Sequence, residues 1–160
     1  MSKGFNIAEQ AHVAVYRYPV DLDSSQQAAQ TTDWLNFSDH SHVSIIVALG
    51  VTGAQAVVKL QSADDSSGTN AADMAFNVYK AETDGSDVAG ARTAVASTGL
   101  TCSGNNNIFY IIEVDAAELP QGQPFLGVHI ADPAAATFGC VVAVFSGTRY
   151  GGPQSASIQS

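Results

Sequence analysis

The chain has 160 residues, of which 46% are hydrophobic and 13% charged, and six Lys and Arg against fifteen Asp and Glu give a formal net charge of −9. A chain of this length forms one domain by default and buries roughly 70% of its unfolded surface, so it needs neither a metal nor a disulfide to fold. The acidic balance repels phosphate backbones and anionic lipids, which argues against nucleic-acid and membrane partners.

The N-terminal sequence and the apolar runs bear on location. MSKGFNIAEQ lacks the apolar core of a signal peptide, and no run reaches the roughly 18 apolar residues of a membrane span. We therefore expect synthesis in the cytoplasm without a cleaved export signal.

The first part of the chain predicts an arm and an edge strand. Residues 1–11 are expected to form a flexible arm, and the alternating HVAVYRY of residues 12–18 predicts a strand. Pro19 cannot donate a backbone hydrogen bond, so this strand is expected to end there and to lie at a sheet edge. The next predicted elements are a polar loop at 21–31, a short strand with the only tryptophan at 33–37, and a turn at 39–41.

Three runs consist almost entirely of β-branched, aromatic and small apolar residues. They are HVSIIVAL at 42–49, NIFYIIEVD at 107–115 and FGCVVAVF at 138–145. Short apolar runs bounded by turn residues predict strands rather than helices. Only Glu113, expected to face solvent, interrupts the run at 107–115, so we predict a central strand covered on both faces.

Turn chemistry connects these strands. Glycines supply the positive φ of tight turns, so Gly50 and Gly53 predict a hairpin between 42–49 and a strand at 54–61. Asp115 and Glu118 have capping-box spacing and predict one helical turn, which Pro120 stops. Weaker strands are predicted at 74–80, 92–97 and 124–131, with loops at 62–72, 83–90 and 132–136.

Together these elements predict an all-β protein. The expected fold is a single-domain antiparallel β-sandwich, jelly-roll-like, over residues 12–146. The arm at 1–11 and a Gly/Ser/Gln-rich tail at 147–160 extend from it. Cys140 falls in an apolar strand and is expected to be buried, whereas Cys102 falls in a turn. A disulfide between the two stays open, and nothing in their spacing favours it.

Two places deserve inspection as metal sites. His40 and His42 would share a face of a strand, but a third ligand is missing at any suitable offset, so polar turn histidines are the preferred interpretation. In the loop DDSSGTN at 64–70, an EF-hand alignment would place Ala63 where a carboxylate is required. A looser surface calcium site at Asp64 and Asp65 remains an alternative.

Signatures of catalysis are missing from the sequence. It contains no Gly-x-Ser-x-Gly elbow, phosphate-binding glycine loop, HExxH or CxxC motif. We therefore expect no catalytic residue, no cofactor and no resident metal. Trp34, Tyr79 and Tyr150 could form a sugar-stacking platform, but Trp34 and Tyr79 are expected instead to pack in or at the rim of the core.

Three segments carry a resemblance to a known family. They are LQSADDSSGT at 60–69, FYIIEVDAAEL at 109–119 and GCVVAVFSGTRY at 139–150. Their order resembles a group of small β-sandwich virion proteins encoded in the head modules of tailed bacteriophages, many of them capsid decoration (cement) proteins. The resemblance covers about residues 12–150 and brings no catalytic residues with it.

The resemblance implies a mechanical function in the virion. Such a protein binds the outer surface of the capsid lattice, contacts the major capsid protein and stabilises the particle, often as a homotrimer. Polar extensions that order on contact can reach neighbouring subunits, so the arm and the tail are the expected contact segments. The candidate contact residues are Lys3, Phe5, Ile7, Arg149, Tyr150 and Ile158. The alternatives are a head–tail, tail or spike component and a carbohydrate- or host-surface-binding module, with an enzyme third.

Overall fold

The computed structural model describes residues 7–23, 33–148 and 158–159 of the chain. Strands dominate this part, with one short helix and one 3-10 turn. The elements are α1 (Ile7–Gln10), β1 (His12–Asp21), β2 (Trp34–Asn36), β3 (His40–Thr52), β4 (Val57–Ala63), β5 (Ala72–Met74), β6 (Phe76–Ala81), β7 (Thr93–Val95), β8 (Leu100–Thr101), β9 (Ile108–Asp115), the 3-10 turn (Ala116–Glu118), β10 (Phe125–Ala131), β11 (Thr137–Thr148) and β12 (Ile158–Gln159).

The strands form two antiparallel sheets that pack face to face. The front sheet has the order β1-β11-β3-β9-β6-β7, and the back sheet has the order β12-β2-β10-β4-β5, with β8 also paired to β4. Every strand pair in both sheets is antiparallel. The predicted all-β antiparallel sandwich is therefore confirmed.

The strand pairing is nested from the ends of the domain inwards. β1 pairs with β11, β2 with β10, β3 with β9 and β4 with β8. Both strands of the first and third pairs lie in the front sheet, and both strands of the second and fourth pairs lie in the back sheet. The chain thus wraps as a long antiparallel ribbon around one core, and β5, β6 and β7 are an excursion between β4 and β8.

The core forms between the two sheets because the long strands alternate. In β3 every second residue from Val43 to Leu49 is buried, and in β9 the same holds from Ile108 to Val114. Facing them are fully buried aliphatic residues of the back sheet, among them Leu60 and Leu126. This interdigitation of two inner faces is the usual core of a β-sandwich.

The predicted hairpin at Gly50–Gly53 is wrong. β3 continues through Gly50 to Thr52 in the front sheet, whereas β4 lies in the back sheet. The connection therefore crosses between sheets, and the Gly53 amide donates to the carbonyl of Ala136 at 3.0 Å. Glycine signals mark a change of direction, but they do not say which sheet the next strand joins.

Strand limits differ from the sequence prediction at two other places. β1 lies at the sheet edge as expected, yet it passes through Pro19 to Asp21, with register shifts after Val15 and after Arg17. Because Pro19 occupies an edge strand, its missing amide does not interrupt a ladder. The turn predicted at 39–41 lies earlier, at Ser38 and Asp39, where the His40 amide donates to the Phe37 carbonyl at 3.2 Å. His40 itself begins β3 and pairs with Thr148 of β11.

The helical turn after β9 is confirmed. The Asp115 amide donates to the Glu118 carboxylate at 3.0 Å, which completes a capping box around the 3-10 turn. Both cysteines are free thiols. Cys102 is fully buried, but Cys140 is only partly buried, so the prediction of a buried Cys140 is wrong. Its side chain lies on the outer face of the front sheet.

Candidate interaction surface

The outer face of the front sheet is apolar across five strands. Its central row consists of laterally adjacent residues of β1, β11, β3, β9 and β6, namely Val15, Val142, Ile46, Ile111 and Tyr79. All five keep solvent exposure in the isolated chain. This contradicts the prediction that β9 is covered on both faces, because the described part of the chain buries one face only.

The rows on either side extend the apolar area. Cys140, Ala48 and Phe109 lie side by side on one side of the central row, and Val13 pairs with Val144 on the other. Val13 is 45% exposed, an unusual fraction for a valine within a strand. The row of Val13 and Val144 becomes polar at Ser44, Glu113 and Asn77. We therefore give the name front face to the ten apolar residues of the three rows.

A depression continues the front face at one end. It has a volume of about 400 Å³ and shares Ala48, Phe109 and Cys140 with the front face. Phe138, which is 50% exposed, and Pro19 form the rest of its rim. The apolar area therefore extends past the strand rows instead of ending at them.

The outer face of the back sheet is polar by contrast. Lys59 forms an ion pair with Asp73 at 2.7 Å, and the Gln61 amide donates to the same carboxylate at 2.8 Å. His129 next to them is exposed. Such a face is satisfied by water and by its own pairs, so the two outer faces of the sandwich differ in chemistry.

A charged hydrogen-bond cluster lies at the other end of the front face. His42 Nε2 lies 2.6 Å from Glu113 Oε2, and Nδ1 lies 2.8 Å from Asp115 Oδ1. The Ser44 hydroxyl donates to Glu113 at 2.7 Å. Strand register builds this cluster, because β3 and β9 place His42 opposite Asp115 and Ser44 opposite Glu113.

The cluster favours a charged imidazolium. Burial is the largest single influence and lowers the pKa of His42, but the hydrogen bonds to Asp115 and Glu113, with their negative charges, outweigh it and raise the pKa. Ser44, His42 and Asp115 are arranged much as in a nucleophile triad. Glu113, however, accepts the hydrogen bonds of both the Ser44 hydroxyl and His42 Nε2. In a triad Nε2 would activate the hydroxyl, but here it is bound to Glu113.

The candidate metal sites of the sequence have other roles. His40 faces the core, where its ring meets Phe145 with centroids 4.8 Å apart, whereas His42 lies on the outer face. The two imidazoles therefore do not share a face, which excludes the bridge. The preferred interpretation as polar turn histidines is wrong for His40, which is buried at the start of β3. Among residues 7–23, 33–148 and 158–159, no group of three or more His, Cys, Asp or Glu side chains could hold a metal.

The acidic loop at 64–70 uses its carboxylates internally. Asp65 accepts the amides of Ser67 and Thr69 at 2.9 and 3.1 Å, and Asp64 accepts the Asn70 amide at 2.6 Å. The hydrogen bonds from Thr69, side chain first, lower the pKa of Asp65. This is the bonding of a self-capped turn.

The three aromatic residues considered for sugar binding do not form a platform in the described structure. Trp34 is 2% exposed, and its ring lies between Gly68 and Gly127 on the back sheet. Tyr79 lies on the front face, on the opposite side of the sandwich. Tyr150 lies outside the described residues. The preferred interpretation as a packing residue is confirmed for Trp34 and wrong for Tyr79, which lies on the outer face of the front sheet.

The six candidate contact residues belong to the two ends of the chain. Ile7 begins α1 and is 45% exposed. Ile158 lies in β12, where it pairs with Leu35 of the back sheet. The other four, Lys3, Phe5, Arg149 and Tyr150, lie outside the described residues.

The arm and the tail leave the sandwich at one corner. His12, the first residue of β1, pairs with Phe145 of β11, and Thr148 ends β11 three residues later. The arm thus enters, and the tail leaves, next to the charged cluster on β3 and β9. The front face and its charged end were missed by sequence reasoning, although consecutive apolar residues within the three long runs were a signal for the front face.

Comparison of the chain with protein-family models, with curated proteins and with solved structures gives no match. In the part of the chain that the structure describes, no helix has the length and hydropathy needed to cross a bilayer.

Proposed function

We propose that this chain is a structural virion protein that binds the outside of a bacteriophage capsid lattice and stabilises it. The observation that carries the proposal is the front face, an apolar area that crosses five strands of an acidic, folded domain and keeps solvent exposure in the isolated chain. Contiguous apolar patches of this kind mark sites of protein–protein contact. The resemblance of residues 60–69, 109–119 and 139–150 to decoration proteins favours a bacteriophage capsid as the partner.

The topology supports a virion role. We interpret the nested pairing of β1 with β11, β2 with β10, β3 with β9 and β4 with β8 as a jelly roll. Viral capsid domains use this fold, and so do lectins and other proteins, so the fold alone does not define the function.

The proposed mechanism is binding linkage. A protein that binds the expanded lattice more tightly than the unexpanded one stabilises the expanded form, and many copies multiply the effect. The net charge of −9 keeps free chains soluble before assembly. The arm and the tail leave one corner of the domain, so both can reach the same neighbouring subunit, the major capsid protein.

The test is quantitative mass spectrometry of density-purified particles from the source phage. The chain is counted against the major capsid protein, and about one copy per one to three capsid subunits is expected of a decoration protein that follows the lattice symmetry. A ratio of a few per cent would move the chain to a vertex, the connector or the tail. Absence from the particle would overturn the virion proposal, and glycan-array binding would then be the next experiment.

A further inference from the structure

We propose that the front face is covered by the front face of a second copy of this chain. Val13 and Val15 of the edge strand are 45% and 38% exposed, and the central row is apolar on all five strands. The opposite outer face, with its Lys59–Asp73 pair, has no such character. Pairing of this kind occupies the front face, so in a paired particle the arm and the tail would contact the capsid. The inference itself is tested on the isolated chain.

The front face reaches the size that a specific dimer needs. Five strands about 4.8 Å apart and three rows two residues apart, at about 3.4 Å per residue, span about 500 Å² in projection. The depression at Phe138 adds accessible area at one end. Two copies would thus bury about 1,000 Å² in total, the lower limit of specific interfaces.

A second copy offers a surface of the right shape. Sheets pack face to face about 10 Å apart through interdigitating aliphatic side chains, as the inner faces of this sandwich already do. The front face has the same Val, Ile and Ala composition as those inner faces. Two open sheet faces of this kind can pack against each other, and a two-fold axis is the commonest symmetry of homo-oligomers.

Charge opposes the contact only at one end of the front face. The ionisable groups there are His42, Glu113 and Asp115, which form ion pairs within one chain. A protonated His42 offsets one of the two carboxylates. The Asp115 side chain is 65% exposed, so the remaining negative charge lies where water can solvate it.

The inference differs from the trimer that the resemblance implies. A three-fold ring joins two different patches of each chain, whereas a two-fold contact joins the front face to itself. Face-to-face pairing predicts a particle of two chains.

The experiment compares three purified full-length chains by sedimentation equilibrium: the unmodified chain, Val142→Lys and Val57→Lys. Val142 lies in the central row, between Val15 and Ile46. Val57 is a partly buried valine on the outer face of the back sheet, so Val57→Lys makes the same chemical change on the polar side. Thermal unfolding of all three shows whether each variant folds.

We expect the unmodified chain and Val57→Lys to sediment as two chains. Val142→Lys should raise the dissociation constant by roughly 30-fold or more, the effect of a central interface residue. A monomer at all concentrations, a three-chain particle, or equal association of both variants would overturn the proposal. If the unmodified chain is monomeric and Val142→Lys weakens its binding to capsids, the front face contacts the capsid and not a second copy.

Alkylation of Cys140 tests the same contact without a substitution. Cys140 is a free, partly buried thiol on the front face. Face-to-face pairing predicts that iodoacetamide modifies it more slowly as the chain concentration rises. A rate independent of concentration up to the highest attainable would count against the pairing, even if Val142→Lys fails to fold.

Discussion

Gly127→Ala should destabilise the domain, because a methyl group at this position has no room. A Cβ added to Gly127 would lie 2.8 Å from the Trp34 ring, which Gly68 contacts from the other side. Overpacking of this kind costs about 1–3 kcal/mol. Alanine also lowers the entropy of the unfolded chain and returns about 0.4–1 kcal/mol. We therefore expect a net loss of about 1–2 kcal/mol, or about 2–8 °C in Tm for a chain of this size.

The assay follows the fluorescence of Trp34, the only tryptophan, during thermal unfolding. Gly104→Ala is the matched control, because the nearest atom to its added Cβ would be Gln55 Cγ at 3.9 Å. It should leave Tm unchanged or raise it slightly. If Gly127→Ala melts at or above the temperature of the unmodified chain, the packing of Trp34 against the back sheet is wrong and a solvent-facing Trp34 returns as a sugar-stacking candidate.

Three further predictions concern protonation, thiol reactivity and the arm. The pKa of His42 is raised in the folded chain above its ordinary 6.5, so the protonated imidazole contributes to folding stability. This contribution is fully present below pH 6.5 and is lost as pH rises through the folded pKa. His42→Gln should flatten this part of the pH profile of Tm, and an unchanged profile would contradict the ion pairs of the cluster. Burial raises the pKa of the Cys102 thiol to about 12, so in dilute, monomeric chains iodoacetamide at pH 8 should modify Cys140 and reach Cys102 only after unfolding, as peptide mapping can check. Deleting residues 1–10, which spares the buried Ala11, should lower occupancy on capsids while the isolated domain melts within a few degrees of the full chain; undiminished occupancy would remove the arm from the proposed contact.

The sequence predicts the strands well where alternation or unbroken apolar runs are strong. The runs at 42–49 and 138–145 lie within the long central strands β3 and β11, and the run at 107–115 forms β9 from its second residue onward. The capping box at Asp115 is local chemistry and was equally visible. These features depend only on residues that are close in sequence, so a single sequence without an alignment is enough to predict them.

Features that depend on sheet order were not accessible in the same way. The Gly50–Gly53 turn predicted a hairpin, but β3 and β4 belong to different sheets. The charged cluster joins His42 to Glu113, 71 positions away in sequence, through the register of β3 and β9. A sequence without alignment gives no register between distant strands, so the partners of His42 could not be named in advance.

The error about β9 is the informative one. Ile108 to Val114 alternates between buried and partly exposed residues, yet Phe109 and Ile111 on the exposed side are as apolar as their buried neighbours. A strand with one face in water normally places polar residues there, since nothing is gained by exposing a large apolar side chain. Val142 and Ile46 on the adjacent strands share the anomaly, so it belongs to a surface and not to one strand. If sedimentation finds paired chains that Val142→Lys separates, the run at 107–115 predicted a covered strand correctly, and the cover is a second chain.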